Sequence, residues 1–194
     1  MSQATPSPAP WRRGADQLLL RTRVFDVRSS QFQHPARSEG KEFLVIDAPD
    51  WAVVLAVTSR GELVLVKQFR FGVERLSLEL PGGVVEQDES ALQAASRELV
   101  EETGYRGDSP ILLGSVHPNP AIQSNRAHVV LINNVERTEA TQWDADEELG
   151  LSLRPVDEVL TLGRAGGITH ALMLNALFWL EPWWRANRSH GLLF

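Results

Sequence analysis

Glu98, Glu101 and Glu102 stand at i, i+3 and i+4, so on a helix they share one face. Three carboxylates at that spacing repel one another, and the repulsion costs helix stability. Water relieves it on an open surface, and a cation relieves it in a site. Hard divalent cations, bound through oxygen, are the natural occupants of such a cluster. Arg97, four residues before Glu101, is placed to hold one of the carboxylates. Taken alone, the cluster reads more readily as a solvated acidic face. Pro81-Gly82-Gly83, just upstream, changes that reading. Glycine lets the backbone approach a ligand closely and leaves its carbonyl open to a metal. A strand, a glycine-bearing loop and a helix with clustered acids suit a diphosphate neutralised by Mg²⁺.

Those residues need a scaffold. Residues 76–80 read as a short strand running into the glycines. The helix that follows has Ser90 as its N-cap and Gln93 three residues on, the layout of a capping box. Leu92, Ala95 and Leu99 form an apolar stripe at helical spacing, and Gly104 is placed to end the helix in the left-handed conformation. Residues 51–57 read as a buried strand, Arg60-Gly61 as a turn, and residues 63–70 as the hairpin partner of 51–57. Residues 18–27 and 42–46 read as strands before it, and 111–113 and 129–132 as strands after the helix. Between the last two lies the loop His117-Pro118-Asn119-Pro120-Ala121. Further helices are predicted over 155–164 and 169–180, the second stopping near Pro182. Residues 1–13, rich in Ser, Pro and Ala, read as a flexible tail, and 14–194 as a single domain. Strands and helices mix without regular βαβ alternation, which predicts an α+β fold with a sheet packed between helices.

Composition removes several function classes. The formal net charge is -6, which argues against a general grip on nucleic acid. The chain has no cysteine, so disulfides, zinc-thiolate sites and thiol nucleophiles are absent. The N-terminus lacks a signal-peptide layout, and the apolar stretch 171–180 is interrupted by Asn175 and too short to span a bilayer. The expectation is a soluble, cytoplasmic protein with neither a nucleic-acid nor a membrane partner. His117, His128 and His170 lack metal-ligand spacing and read as structural, His170 as a cap or packing group near a helix start.

The segment from Gly83 to Tyr105 resembles the Nudix box. That pattern asks for Gly, then Glu after five residues, then after seven more Arg-Glu-apolar-any-Glu-Glu-any-Gly-apolar. Gly83, Glu89, Arg97, Glu98, Leu99, Glu101, Glu102 and Gly104 match, with Tyr105 at the final apolar position. The resemblance implies the Nudix fold, an α/β/α sandwich with a mixed sheet, and attack of water on a diphosphate. It implies Mg²⁺, with Mn²⁺ as a substitute, bound by Glu98 and Glu102. Glu101 is implied as a further ligand or a partner of bound water, and the Gly82 carbonyl as a backbone ligand. Gly83, Glu89, Arg97 and Gly104 are implied as structural members of the box.

Residues 45–180 are similar to the branch containing ADP-ribose and other nucleoside-diphosphate-sugar pyrophosphatases. Val66-Lys67-Gln68-Phe69-Arg70 followed by Glu79-Leu80-Pro81-Gly82-Gly83 carries this, as do residues 117–122 and Gly167-Ile168-Thr169-His170-Ala171. Pro120 lies about fifteen residues past the box, where ADP-ribose hydrolases tend to carry proline. The comparison implies substrate contacts from Arg70, Glu79, Trp51 and Pro120. A guanidinium suits phosphate, and a tryptophan suits stacking on a nucleobase. The water-activating base of this branch often lies on a later loop, where Asp144-Ala145-Asp146-Glu147-Glu148 stands. Register to Pro155 favours Glu147, with Glu148 close behind. The branch also implies a homodimer, with residues 18–46 reaching toward a partner. GDP-mannose and nucleoside triphosphates are the alternative substrates. A non-catalytic ADP-ribose sensor is the alternative of another class, but such a protein would carry broken ligands or a basic extension.

Overall fold

The computed structural model describes residues 8–143 and 148–188. Its contacts fall into two units, residues up to Pro49 with Asn119–Asn125, and the remainder.

The first unit is built on three antiparallel strands in the order β1 (Arg12–Arg21), β2 (Asp26–Gln33) and β3 (Lys41–Asp47). The stretch 18–27, predicted as one strand, is broken instead: 18–21 end β1, 22–25 form the turn, and 26–27 open β2. Thr22 causes the break: its hydroxyl accepts from the N–H groups of Val24 (3.1 Å) and Phe25 (3.0 Å), a turn made by a short polar side chain on its own backbone. β1 begins at Arg12, and Trp11 packs edge-on against Phe43 with ring centroids 5.8 Å apart. Trp11 and Arg12 lie inside the span expected to be a tail. Asn119–Asn125 joins through Ile46 N–H to Ile122 O (2.7 Å) and Ser124 N–H to Ile46 O (3.1 Å). Trp11, Phe32, Phe43, Pro120 and Ile122 line an apolar cavity of about 310 Å³.

The second unit contains β4 (Trp51–Ala56), β5 (Glu62–Arg70), β6 (Arg75–Glu79), β7 (Gly82–Val84), α1 (Ala91–Thr103), β8 (Tyr105–Arg106), β9 (Ile111–Val116), β10 (Ala127–Ile132), β11 (Glu136–Arg137), β12 (Gly150–Pro155), α2 (Val156–Arg164) and α3 (Ala171–Arg188). One sheet has the order β7-β4-β10-β9, with β4 and β10 parallel and the outer pairs antiparallel. A second has the order β12-β5-β6, and β8 pairs with β11. The near-continuous apolar run of β4 follows from burial on both faces. Ala52, Val54 and Ala56 meet Ala94, Ala95 and Leu99 of α1 on one side. Val53, Leu55 and Val57 meet Val159 and Leu160 of α2 and Ala176, Leu177 and Leu180 of α3 on the other. The unit is the expected α/β/α sandwich with a mixed sheet.

Two predicted elements change. Residues 51–57 and 63–70 do not form a hairpin ladder; a single bridge, Val57 to Leu63, joins them. After the turn at Gly61 (φ 74°) the chain passes to the second sheet, where β5 is a central strand. The last helix also runs through Pro182 to Arg188. Proline removes the N–H that would bond the Phe178 carbonyl. Pro182 and Phe178 are exposed, so water reaches that gap, while the buried stripe of Leu177, Leu180 and Trp184 keeps the helix seated. No helix among the described residues is long and apolar enough to cross a membrane.

Candidate active site

α1 starts and ends where its sequence dictates. Ser90 is the N-cap, its hydroxyl accepts from the Gln93 N–H (3.3 Å), and the Gln93 side chain accepts from the Ser90 N–H (2.9 Å). Gly104 closes the helix in the left-handed conformation (φ 73°). Burial of Ala94, Ala95, Leu99 and Val100 turns the opposite face, with Glu98 and Glu101, away from the core.

The glycine turn lies against this helix. Residues 82–84 pair with Val53, Ala52 and Trp51 of β4 so closely that a Cβ on Gly82 would overlap the Ala52 carbonyl. A Cβ on Gly83 would overlap the Glu98 carboxylate. The Gly82 N–H donates to Glu102 Oε2 at 2.9 Å. Gly82 is therefore required by close approach to backbone, whereas Gly83 faces the movable end of a side chain.

Arg97 organises the rest. Its Nε and Nη2 grip the two oxygens of Glu89, both at 3.0 Å. Its Nη1 reaches Glu98 (2.9 Å) and Glu101 (3.0 Å), and Nη2 also donates to the Val84 carbonyl (3.0 Å). Hydrogen bonding to Glu89, with help from Glu98 and Glu101, raises the Arg97 pKa and keeps it charged. Arg97 in turn holds the Glu89 carboxyl below the usual carboxylate range. One guanidinium thus ties loop, strand β7 and helix together, as a planar fork of donors can.

Glu98, Glu101, Glu102 and the Gly82 carbonyl make a set of hard oxygen donors, the chemistry that Mg²⁺ prefers. The space that a side chain at Gly83 would fill lies directly on the Glu98 carboxylate. Donor type and cradle both fit a hard divalent cation. With Glu98 and Glu101 turned onto Arg97, no three acidic or imidazole side chains among the described residues converge on one point.

Arg70, at the end of β5, is paired with Glu79 at the end of β6. Nε donates to Oε1 at 2.9 Å and Nη2 to Oε2 at 2.6 Å. The Glu79 side chain is 1% exposed and that of Arg70 45%. Burial pushes the Glu79 carboxyl up, but hydrogen bonds and charge from Arg70, with Ser77 and His170, outweigh it and leave the group below its ordinary value. Glu79 raises the Arg70 pKa, and the Glu102 charge adds to the effect. The charge of Glu102, in the last turn of α1, is thus felt at Arg70. The bidentate contact gives Glu79 the part of holding Arg70.

The remaining predicted residues are dispersed. Trp51 opens β4, is half-buried, and donates its backbone N–H to the Arg126 carbonyl (2.9 Å). Pro120 belongs to the first unit, on its apolar cavity. Glu148 is exposed, and Glu147 lies outside the described residues. His170 caps α3 as expected, Nδ1 accepting from the Leu172 N–H (3.2 Å), while Nε2 lies 4.0 Å from Glu79. Sequence reasoning missed that second contact. It also missed Asp50, which receives the Arg126 N–H (2.7 Å) and contacts His128 Nε2 (3.0 Å), fastening the start of β4 to β10. Asp50 carries no motif signal, and the stretch holding His170 says nothing of its reach toward Glu79.

The NUDIX domain family matches residues 48–172. The chain is 28% identical over 168 residues to an ADP-ribose pyrophosphatase of Bacillus subtilis (strain 168), covering 86% of this chain and 90% of that one. It is 25% identical over 169 residues to the ADP compounds hydrolase NudE of Escherichia coli (strain K12), covering 86% and 89%. A crystal structure of an ADP compounds hydrolase superposes with a TM-score of 0.81 at 20% identity, covering 97% of this chain and all of that one; at that identity the likeness shows the fold.

Proposed function

The chain belongs to the NUDIX family and is a hydrolase, and from that premise we propose that it cleaves the diphosphate bond of a nucleoside diphosphate sugar, most directly ADP-ribose, with Mg²⁺. The observation that carries this reading is the Glu102 carboxylate held on the glycine turn by the Gly82 N–H. The products would be a nucleoside monophosphate and a sugar phosphate. The two long-range relatives, an ADP-ribose pyrophosphatase and an ADP compounds hydrolase, support this substrate class.

In this reading Glu98 and Glu102 hold the ion, with Glu101 and the Gly82 carbonyl beside them. When bound, Mg²⁺ supplies charge neutralisation of the diphosphate and acidifies water. Arg70 offers its half-exposed guanidinium to a phosphate oxygen, with Glu79 fixing its plane. Arg97 and Glu89 keep helix and loop in register. Trp51 offers a ring face to the base. Glu147, or Glu148, takes the proton from the attacking water; a base on a loop is typical of sites completed by substrate. Apolar side chains exposed on the N-terminal strands, among them Leu19, Leu20 and Leu44, support the homodimer as part of this reading.

A panel of ADP-ribose, GDP-mannose, UDP-glucose, dinucleoside polyphosphates and nucleoside triphosphates, each with Mg²⁺ or Mn²⁺, tests the proposal. AMP and ribose 5-phosphate should accumulate fastest from ADP-ribose. Turnover confined to triphosphates would refute the substrate class. Sedimentation as a monomer at micromolar concentration would refute the dimer.

A further inference from the structure

The last turn of an α-helix leaves carbonyls without intrahelical donors. In α1 the Gly104 N–H returns to the Val100 carbonyl at 2.8 Å, so the carbonyls that follow must be satisfied from outside. One short stretch beyond β11 supplies the donors. The Gln142 N–H bonds the Glu101 carbonyl at 2.7 Å, and the Trp143 indole Nε1–H bonds the Glu102 carbonyl at 2.9 Å. The N–H groups of Thr138 and Glu139 both bond the Gly104 carbonyl, at 2.9 and 3.1 Å. Arg106 in β8 anchors the same stretch through the Glu139 side chain at 2.6 Å.

The braced residues are the two acidic ones of the last turn. A helix C-terminus is the negative end of the dipole, where carboxylates are disfavoured and donors relieve the charge. Glu102 is consequently held at two points, its carboxylate by the Gly82 N–H and its carbonyl by Trp143. We propose that Trp143 is a positioning residue for the metal: its indole N–H fixes the Glu102 backbone, and so aims the Glu102 carboxylate. The proposal rests on Glu102 as a metal ligand. Trp143 is 40% exposed, so a core-packing role does not account for it. Loss of the indole N–H frees the last turn, and a bound ion must then re-order it. The effect is that of one net hydrogen bond, about 2–10-fold in ion affinity. Coupling is reciprocal, so saturating Mg²⁺ should slow exchange of the Trp143 indole proton by a matching factor.

The test is Mn²⁺ binding to the full chain, read by electron paramagnetic resonance without substrate, for the wild type, Trp143→Phe and Glu102→Gln. Trp143→Phe should weaken Mn²⁺ about 2–10-fold, and Glu102→Gln should weaken it more. Should Trp143→Phe fail to fold, replacing Trp143 by β-(3-benzothienyl)alanine keeps the ring shape and removes only the N–H. Mg²⁺-dependent protection of the Trp143 indole proton, followed by NMR, is a readout that mere destabilisation would not produce. Unchanged Mn²⁺ affinity on loss of the N–H, with binding lost in Glu102→Gln, overturns the role of Trp143 and leaves the metal reading standing. Unchanged affinity in Glu102→Gln overturns the metal reading, and the proposal with it.

Discussion

Arg70→Met isolates the strongest electrostatic claim made for the site. Methionine keeps much of the stem and removes the charge, leaving the Glu79 carboxylate 1% exposed with its main partner gone. Breaking a fully buried pair costs about 3–5 kcal/mol. Arg70 is 45% exposed, so solvent screens part of the pair and about 2–3 kcal/mol is the fitting figure. For 194 residues that lowers Tm by roughly 5–10 °C at pH 7. The pH dependence follows from the direction of the shift. In the wild type the Glu79 carboxyl lies below its ordinary 4.5, so its stabilisation is present above that value and fades as pH falls through the lower folded one. Without Arg70 the largest remaining influence is burial, which pushes the carboxyl up. The variant's native state then gains a proton more readily than its unfolded state, and it loses least at low pH. The gap between the two proteins should narrow steadily from pH 7 toward pH 4, measured by calorimetry in EDTA. Removing the second charge in Arg70→Met/Glu79→Gln should recover part of the loss at pH 7. A gap independent of pH, or a double variant no more stable than the single one, would refute the assignment.

Glu102→Gln should lower Mg²⁺-dependent turnover by more than about 100-fold while leaving the circular dichroism spectrum unchanged, since metal assistance contributes several kcal/mol to such reactions. Gly83→Ala puts a methyl group on the Glu98 carboxylate, the movable end of a side chain. It should raise the Mg²⁺ concentration needed for half-activation several-fold with a Tm change under about 3 °C; an unaltered Mg²⁺ requirement would argue against Glu98 as a ligand. Ser90→Ala removes an N-cap and should cost about 1 kcal/mol, a Tm loss of roughly 2–4 °C, with kcat retained because the cap lies at the far end of the helix from Glu102.

What the sequence disclosed tracks how local each cause is. The limits of α1 were legible because Ser90, Gln93 and Gly104 act within a few residues of themselves. The two-faced burial of β4 was legible because an apolar run of that length leaves no polar face for solvent. Partners distant in the chain were not. Residues 63–70 read as the neighbour of 51–57 because a glycine turn precedes them, yet nothing local says that β5 will choose β6 and β12. Pro182 read as a stop because its cost is local, while the packing that outweighs it comes from residues such as Trp184. Arg70 was recognisable from its motif, but its commitment to Glu79 depends on the register of β5 with β6.

The three glutamates that first drew notice end in different environments, and the difference bears on how the site would load. Glu98 and Glu101 rest on one nitrogen of Arg97, at 2.9 and 3.0 Å. Glu102 instead is buried on the Gly82 N–H, with Arg70 as the nearby charge. An arriving cation must compete with Arg97 for the first two but finds the third already directed by the backbone. The mutual repulsion expected of the cluster is thus relieved in advance by a fixed cation of the chain itself. That accounts for a helix which tolerates three acids so close together. It also makes Arg97 a competitor as well as a support: Arg97→Gln should destabilise the helix by leaving Glu89, Glu98 and Glu101 with less compensation, while the same change makes the carboxylates more available to an ion. Thermal stability in EDTA and the Mn²⁺ dissociation constant should therefore not fall in proportion. If they did, Arg97 would be acting as a scaffold alone.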